Sequence, residues 1–281
     1  MQLNAKRAPL LLFFISIIYI SGLRAQTIEV NHVLLDSLNH LGYKMYNETN
    51  EPERLQANYI FIKTLVQYLK SPHSIDDTNL DTLKMIAIRR EPKNNFRIFS
   101  WHIRLNDGSY RYYGAIQWRT KDGSLSLKAL VDKSPLIDKP EEASLDNNNW
   151  YGAQYYDIIP MKGLPQHYLL LGWRGTTPKV TQKVIDVLHL TESSVAFGKK
   201  IFKDPAFATA SRLIYSYNAR ATMLMKYEKD KDRIVMDHLA PATPSLKGQF
   251  EHYGPDMSYD AWKIKTDYLI LEEDLPLKNE N

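Results

Sequence analysis

The sequence predicts a mainly β protein: antiparallel meander sheets, sandwich-like or one large curled sheet, with an N-terminal helical segment packed on it. Three observations carry that expectation. Residues 96–131 alternate apolar and polar side chains in three runs separated by Asp-Gly turns. From Leu83 onward about a dozen short strand candidates follow one another without intervening helices. Before them, residues 28–70 carry apolar residues at helical spacing. Short strands joined by turns exclude a doubly wound parallel fold, which needs a helix between strands. A β-propeller is excluded by count, since even a small one takes about 16 strands.

The central meander is the clearest element. Phe99, Trp101, Ile103 and Leu105 share one face of its first strand, against Ser100, His102 and Arg104. Asn106-Asp107-Gly108 turns the chain, and Tyr110, Tyr112, Ile116 and Trp118 then alternate with Arg111, Tyr113, Gln117 and Arg119. Lys121-Asp122-Gly123 turns it again, and Leu125, Leu127, Ala129 and Val131 form a third apolar face. Asp and Gly tolerate the positive φ that tight hairpins demand, so this is the strongest hairpin signal a sequence offers.

The N-terminus has the three parts of a secretory signal peptide: Lys6-Arg7, an apolar run from Leu10 to Ile20, and Ala25 before the expected cut. The run is shorter than the ~20 residues a spanning helix needs. Residues 1–25 are therefore expected to be removed, leaving no transmembrane span. Loss of Lys6, Arg7 and Arg24 lowers the formal charge from +4 to +1. A nearly neutral chain has no field for gathering nucleic acid. There is no cysteine, so no disulfide and no thiolate metal site can form. An exported, cysteine-free chain suits the periplasm or exterior of a bacterium.

In residues 26–82, Val30, Val33, Leu34, Leu38 and Leu41 mark a first helix ending at Gly42. Asn50, Pro52 and Glu53 read as the capped start of a second, with Leu55, Tyr59, Ile62, Val66 and Leu69 as its apolar face. Asp76, Asp77, Asn79 and Asp81 lie in a polar connector. The β domain occupies 83–281. Its strand candidates after the meander are Tyr151–Ile159, His167–Trp173, Val180–Leu190, Val195–Phe202, Arg212–Tyr217, Ala221–Tyr227, Arg233–His238 and Ala261–Leu271. Val180, Val184, Val187 and Leu188 would equally suit a short helix.

No nucleophile elbow, Walker loop, zinc-protease helix or dinucleotide fingerprint occurs. No catalytic residue and no cofactor is assigned. Candidate ligand-binding residues come from three places. Trp173 and Arg174, flanked by Gly172 and Gly175, suit stacking on a sugar or peptide, or closure of a core, the commoner fate of a large aromatic. His238 follows Asp237 on a strand, where neighbours point to opposite faces, so Asp237 does not orient it. Asp256, Tyr259 and Trp262 belong to an aromatic and acidic stretch, 252–262, expected to be a loop. Lys229-Asp230-Lys231-Asp232 is expected to be an exposed hairpin tip.

The segments Tyr155-Tyr156-Asp157, Gly172-Trp173-Arg174-Gly175, 233–241 and 255–262 resemble an uncharacterised family of secreted or envelope proteins of Bacteroidetes-type bacteria, over residues 85 to 275. The resemblance implies export and carries no activity. Two functions follow as expectations. One is a non-catalytic binding or scaffolding protein, contacting a glycan, peptide or envelope protein through its 18 Tyr and 5 Trp. The other is a secreted hydrolase using Asp237, Asp256 or Asp260. A calcium-stabilised scaffold would draw on Asp76, Asp77, Asp230, Asp232, Asp256 and Asp260.

Overall fold

The computed structural model describes residues 31–71 and 74–275. The expected signal peptide lies outside them. Strand accounts for 41% and helix for 24%, so the protein is mainly β, with a helical segment at 31–69 before three antiparallel sheets. The chain forms two compact units, one ending at Leu83 and the other beginning at Lys84.

In the first unit, helix α1 covers 31–47 and runs straight through Gly42, which does not take the left-handed conformation of a helix stop. Helix α2 (Glu51–Leu69) begins after Asn50 with Pro52 in its first turn, but the Asn50 side chain makes no capping hydrogen bond. Its buried stripe is Ala57, Phe61, Leu65, Tyr68 and Leu69, while Tyr59 stays exposed. The expected face was thus rotated. Phe61 and Tyr68 are larger than Ile62 and Val66, and the helix turns its bulkiest apolar groups inward. In the connector, Asp77 accepts from the Tyr68 hydroxyl and from the Asn79 amide.

The second unit is three sheets laid down in chain order. The first contains β1 (Ala87–Arg90), β2 (Phe96–Arg104), β3 (Tyr110–Arg119) and β4 (Leu125–Val131) as a simple meander. Both Asp-Gly turns form as the sequence predicts, with Gly108 at φ 82° and Gly123 at φ 81°. In each, the Asp side chain accepts from the amide two residues on. Ser100 stands opposite Gly114, and Ala115 opposite Ala129. Even-numbered residues of all three strands therefore share one face. Phe96, Ile98, Tyr112, Ile116, Trp118 and Leu130 make that face a core. The apolar face expected for β4 is overturned: Ala129 and Val131 are exposed and Leu130 points inward.

The middle sheet has the order β5 (Leu145–Asp146), β9 (Val195–Phe197), β8 (Val180–Leu190), β7 (His167–Gly175), β6 (Gln154–Pro160), with β10 (Leu213–Asn218) also pairing β8. The last sheet is β11 (Met225–Glu228), β12 (Arg233–Pro241), β13 (Tyr253–Ile264) and β14 (Leu269–Glu272). The middle sheet is covered on both faces. Leu170, Leu188 and Tyr155 face the first sheet. Leu169, Leu171, Ile185, Val187 and Leu213 meet Met225, Ile234, Met236 and Trp262 of the last. β8 is consequently buried on both sides, from Val184 through Leu188. Such a strand has no polar alternation to display, which is why its sequence also suits a helix.

Across one interface runs a buried polar chain. The Trp150 indole donates to the Tyr155 hydroxyl at 3.0 Å, Tyr155 donates to Asp186 at 3.3 Å, and Arg212 Nε meets Asp186 at 3.1 Å. Arg212 also donates to the carbonyls of Pro140 and Ala143. Asp186 and Arg212 side chains are wholly buried.

Candidate ligand-binding cleft

The cleft lies over one end of β7, β8 and β10 of the middle sheet. Strand register sets Trp173 beside Lys183, and Lys183 beside Tyr215, in one row across β7, β8 and β10. The next row is Gly175, Thr181 and Tyr217. Side chains paired across strands share a face, and Trp173, Lys183, Gly175, Thr181 and Tyr217 of these rows floor a cavity of about 220 Å³. The connector from β10 to β11 supplies Ala219, Ala221, Thr222 and Met223, and Tyr110 reaches in from the first sheet.

Trp173 is half-buried, held edge-on by Tyr110 with centroids 5.8 Å apart, and packed at a tilt against His102 at 5.3 Å. His102 Nδ1 donates to Gln154 Oε1 at 3.0 Å. Burial lowers its pKa to about 4, against the raising effect of Gln154, so it is neutral at pH 7. Burial pushes the Tyr217 phenol up to about 12, helped by Asp237. The Lys183 ammonium lies 4.3 Å above the centroid of the Tyr156 ring, and burial lowers its pKa.

At Ala221 the cavity meets an open groove of about 620 Å³, walled by Asn218, Arg220, Pro241, His252, Tyr253 and Asp256 among others. Segment 252–262, expected as a loop, is mostly strand β13. It carries a bulge in which one residue of β12, His238, faces three of β13 between the pairs Asp237–Tyr259 and Leu239–Pro255. Met257 takes φ 74° there and is 83% exposed. The bulge turns Asp256 toward His238 Nδ1, at 2.8 Å, while its other oxygen accepts from the Ser258 amide and hydroxyl.

The expected ligand residues are therefore divided. Trp173 lines the cavity and Asp256 the groove, with His238 anchoring Asp256. Trp262 does not reach a surface: it is fully buried, donates to the Tyr215 hydroxyl at 2.7 Å and meets Phe202 and Phe207 edge-on. Arg174 does not join Trp173. It emerges on the opposite face, buried between Tyr112 and Tyr151, and donates to the carbonyls of Tyr151 and Gly152 and to Ser134 Oγ. Tyr259 stands half-buried opposite Asp237. Sequence reading missed Lys183 and Tyr217, which the pairing of β8 with β10 brings to one cavity, and Arg220 on the groove wall. Period-2 alternation gives no sign of that pairing.

Asp260 stands opposite Met236, on the face away from Asp237. Burial raises its pKa, against the lowering effects of the hydrogen bond from the Asp274 amide and of the His238 charge. Asp256 is lowered: its hydrogen bonds from Ser258 and His238 outweigh the effect of burial. Among the described residues no group of three or more His, Asp or Glu side chains is placed to hold a metal ion. Asp232 is instead paired with Lys162 at 2.6 Å. No helix among them is long and apolar enough to cross a membrane. No protein-family model, curated protein or solved structure matches this chain.

Proposed function

We propose that this is an exported, non-catalytic binding protein that receives an extended ligand along the cavity and the groove. The observation that carries the reading is their junction at Ala221, which joins an aromatic-walled cavity to an open groove. Ligand sites are concave, largely apolar and marked by a few convergent polar groups. Here those are Lys183, Thr222, Arg220 and Asp256. Export is supported by Lys6-Arg7, the Leu10–Ile20 run and Ala25.

A hydrolase is less well supported, although Asp256 and Asp260 are pushed in opposite directions as an acid–base pair would be. Asp260 is turned to the core face and only 8% exposed, whereas the groove wall is Asp256.

The test is titration calorimetry of the mature chain against panels of oligosaccharides and peptides, with Trp173→Ala beside Trp262→Phe. Saturable binding weakened at least tenfold by Trp173→Ala, with Trp262→Phe altering melting and leaving affinity intact, is the expected result. Absence of saturable binding to either panel would remove the proposal.

A further inference from the structure

We propose that the ligand is an acidic oligosaccharide, a glycan with carboxylates on its sugar rings, and that Lys183 receives one of those carboxylates; this rests on the binding reading above. The Lys183 side chain is half-buried, its ammonium lies over the Tyr156 ring, and it makes no ion pair and no hydrogen bond with any described residue. Burial lowers its proton affinity. A partly desolvated ammonium without a counter-ion is costly to keep, and an entering anion offsets that cost.

The contact with Tyr156 does not account for the lysine. That ring is already fixed by its own hydroxyl, which donates to the Met225 carbonyl at 3.1 Å. Arg220 repeats the pattern at the junction of cavity and groove: its backbone amide donates to Asn218 Oδ1, and its exposed guanidinium makes no ion pair with any described residue. Two free cations along one cleft match a chain whose negative charges recur. The only described carboxylate on the groove wall, Asp256, is held by His238.

Sugar is favoured over acidic peptide by what the walls offer. A peptide gains main-chain affinity by adding to an open strand edge. Here β8 is paired on both sides, to β7 through Thr181 and to β10 through Val180. What faces the ligand is ring surface, from Tyr110, Trp173 and Tyr217, and the Thr222 hydroxyl. Those suit the apolar face and hydroxyls of a sugar.

The experiment is calorimetry of the mature chain with three probes of matched length: an oligogalacturonate, its methyl ester and an oligoglutamate. The oligogalacturonate is expected to bind at least tenfold tighter than the ester, with affinity falling as salt rises. Lys183→Met should abolish that preference and flatten the salt dependence, and Lys183→Arg should keep most of it. Thermal melting of Lys183→Met should equal or exceed that of the parent, which separates lost recognition from lost folding. Equal binding of acid and ester overturns the inference and leaves the binding reading standing. Preference for oligoglutamate overturns the sugar class; binding of none of the three overturns the acidic-glycan inference, and the wider oligosaccharide and peptide panels then decide the binding reading separately.

Discussion

Replacing Arg212 with Met tests whether the buried polar chain holds the sheets in place. The guanidinium has no exposed surface and meets Asp186 at 3.1 Å. Its removal leaves a carboxylate with only the Tyr155 hydroxyl at 3.3 Å and the Val187 amide at 2.9 Å. Breaking a buried pair from one side costs roughly 3–5 kcal/mol, because the surviving charge stays desolvated. The carbonyls of Pro140 and Ala143 lose their donor as well, so the upper half of that range is expected, about 4–5 kcal/mol. Against a total stability on the order of 5–15 kcal/mol this is a large fraction. At about 2–4 °C per kcal/mol the melting temperature should fall by roughly 8–20 °C. Urea unfolding followed by tryptophan fluorescence reports the change, since Trp150 donates into the same chain through Tyr155. Adding Asp186→Leu to Arg212→Met should recover more than half of the loss, since the stranded carboxylate is then gone. A single variant that melts within about 2 °C of the parent would refute the reasoning.

Three further outcomes are expected. Burial lowers the folded pKa of His102 from the ordinary 6.5 to about 4, so the unfolded chain binds the extra proton between those values and stability falls as pH drops through that window. The full effect is about 3 kcal/mol; His102→Asn should flatten it in denaturant titrations at pH 4 to 7, and an unchanged slope would contradict the assignment. For His238, burial lowers the pKa but the hydrogen bond and charge of Asp256, with Asp260 and Asp274, raise it more. Its stabilisation is present below the unfolded pKa and lost as pH rises through the folded one, and an NMR titration midpoint above 6.5 should fall in Asp256→Asn. Gly152→Ala should cost roughly 2–3 kcal/mol, because φ is 73° and the new Cβ would sit 2.8 Å from Asp132 Oδ1. Gly123→Ala, at φ 81° with open space around it, should cost only about 1–2 kcal/mol; equal melting shifts would show that crowding at Gly152 is absent.

What the sequence displayed was governed by which surfaces are buried. The meander was legible because Asp107-Gly108 and Asp122-Gly123 fix its corners locally, through φ and side-chain hydrogen bonds. Its faces were harder to assign, since apolar residues occupy both sides of β2: Phe96 and Ile98 on one, Phe99, Trp101 and Ile103 on the other, all buried. β8 was ambiguous for the same cause. β13 was read as a loop because Gly254, Pro255 and Asp256 are turn residues, and the bulge that admits them depends on pairing with β12. Of the cleft, Trp173 and Asp256 could be singled out by type. Lys183 could not, because a lysine on a strand normally faces water, and only the third layer makes it an inside residue.

The sheets follow the order of synthesis, residues 87–131, then 145–218, then 225–272. Each layer therefore emerges with an open apolar face that only later chain can close. The first waits for Leu170 and Leu188, and the middle sheet waits for Ile234, Met236 and Trp262. A chain ending anywhere before β13 presents a bare sheet, a surface prone to association. Translational stalling or a nonsense change late in the reading frame should thus yield aggregate rather than a smaller working protein. Domain dissection within 84–275 is barred for the same reason, and the cell must hold the chain open until its last strands arrive.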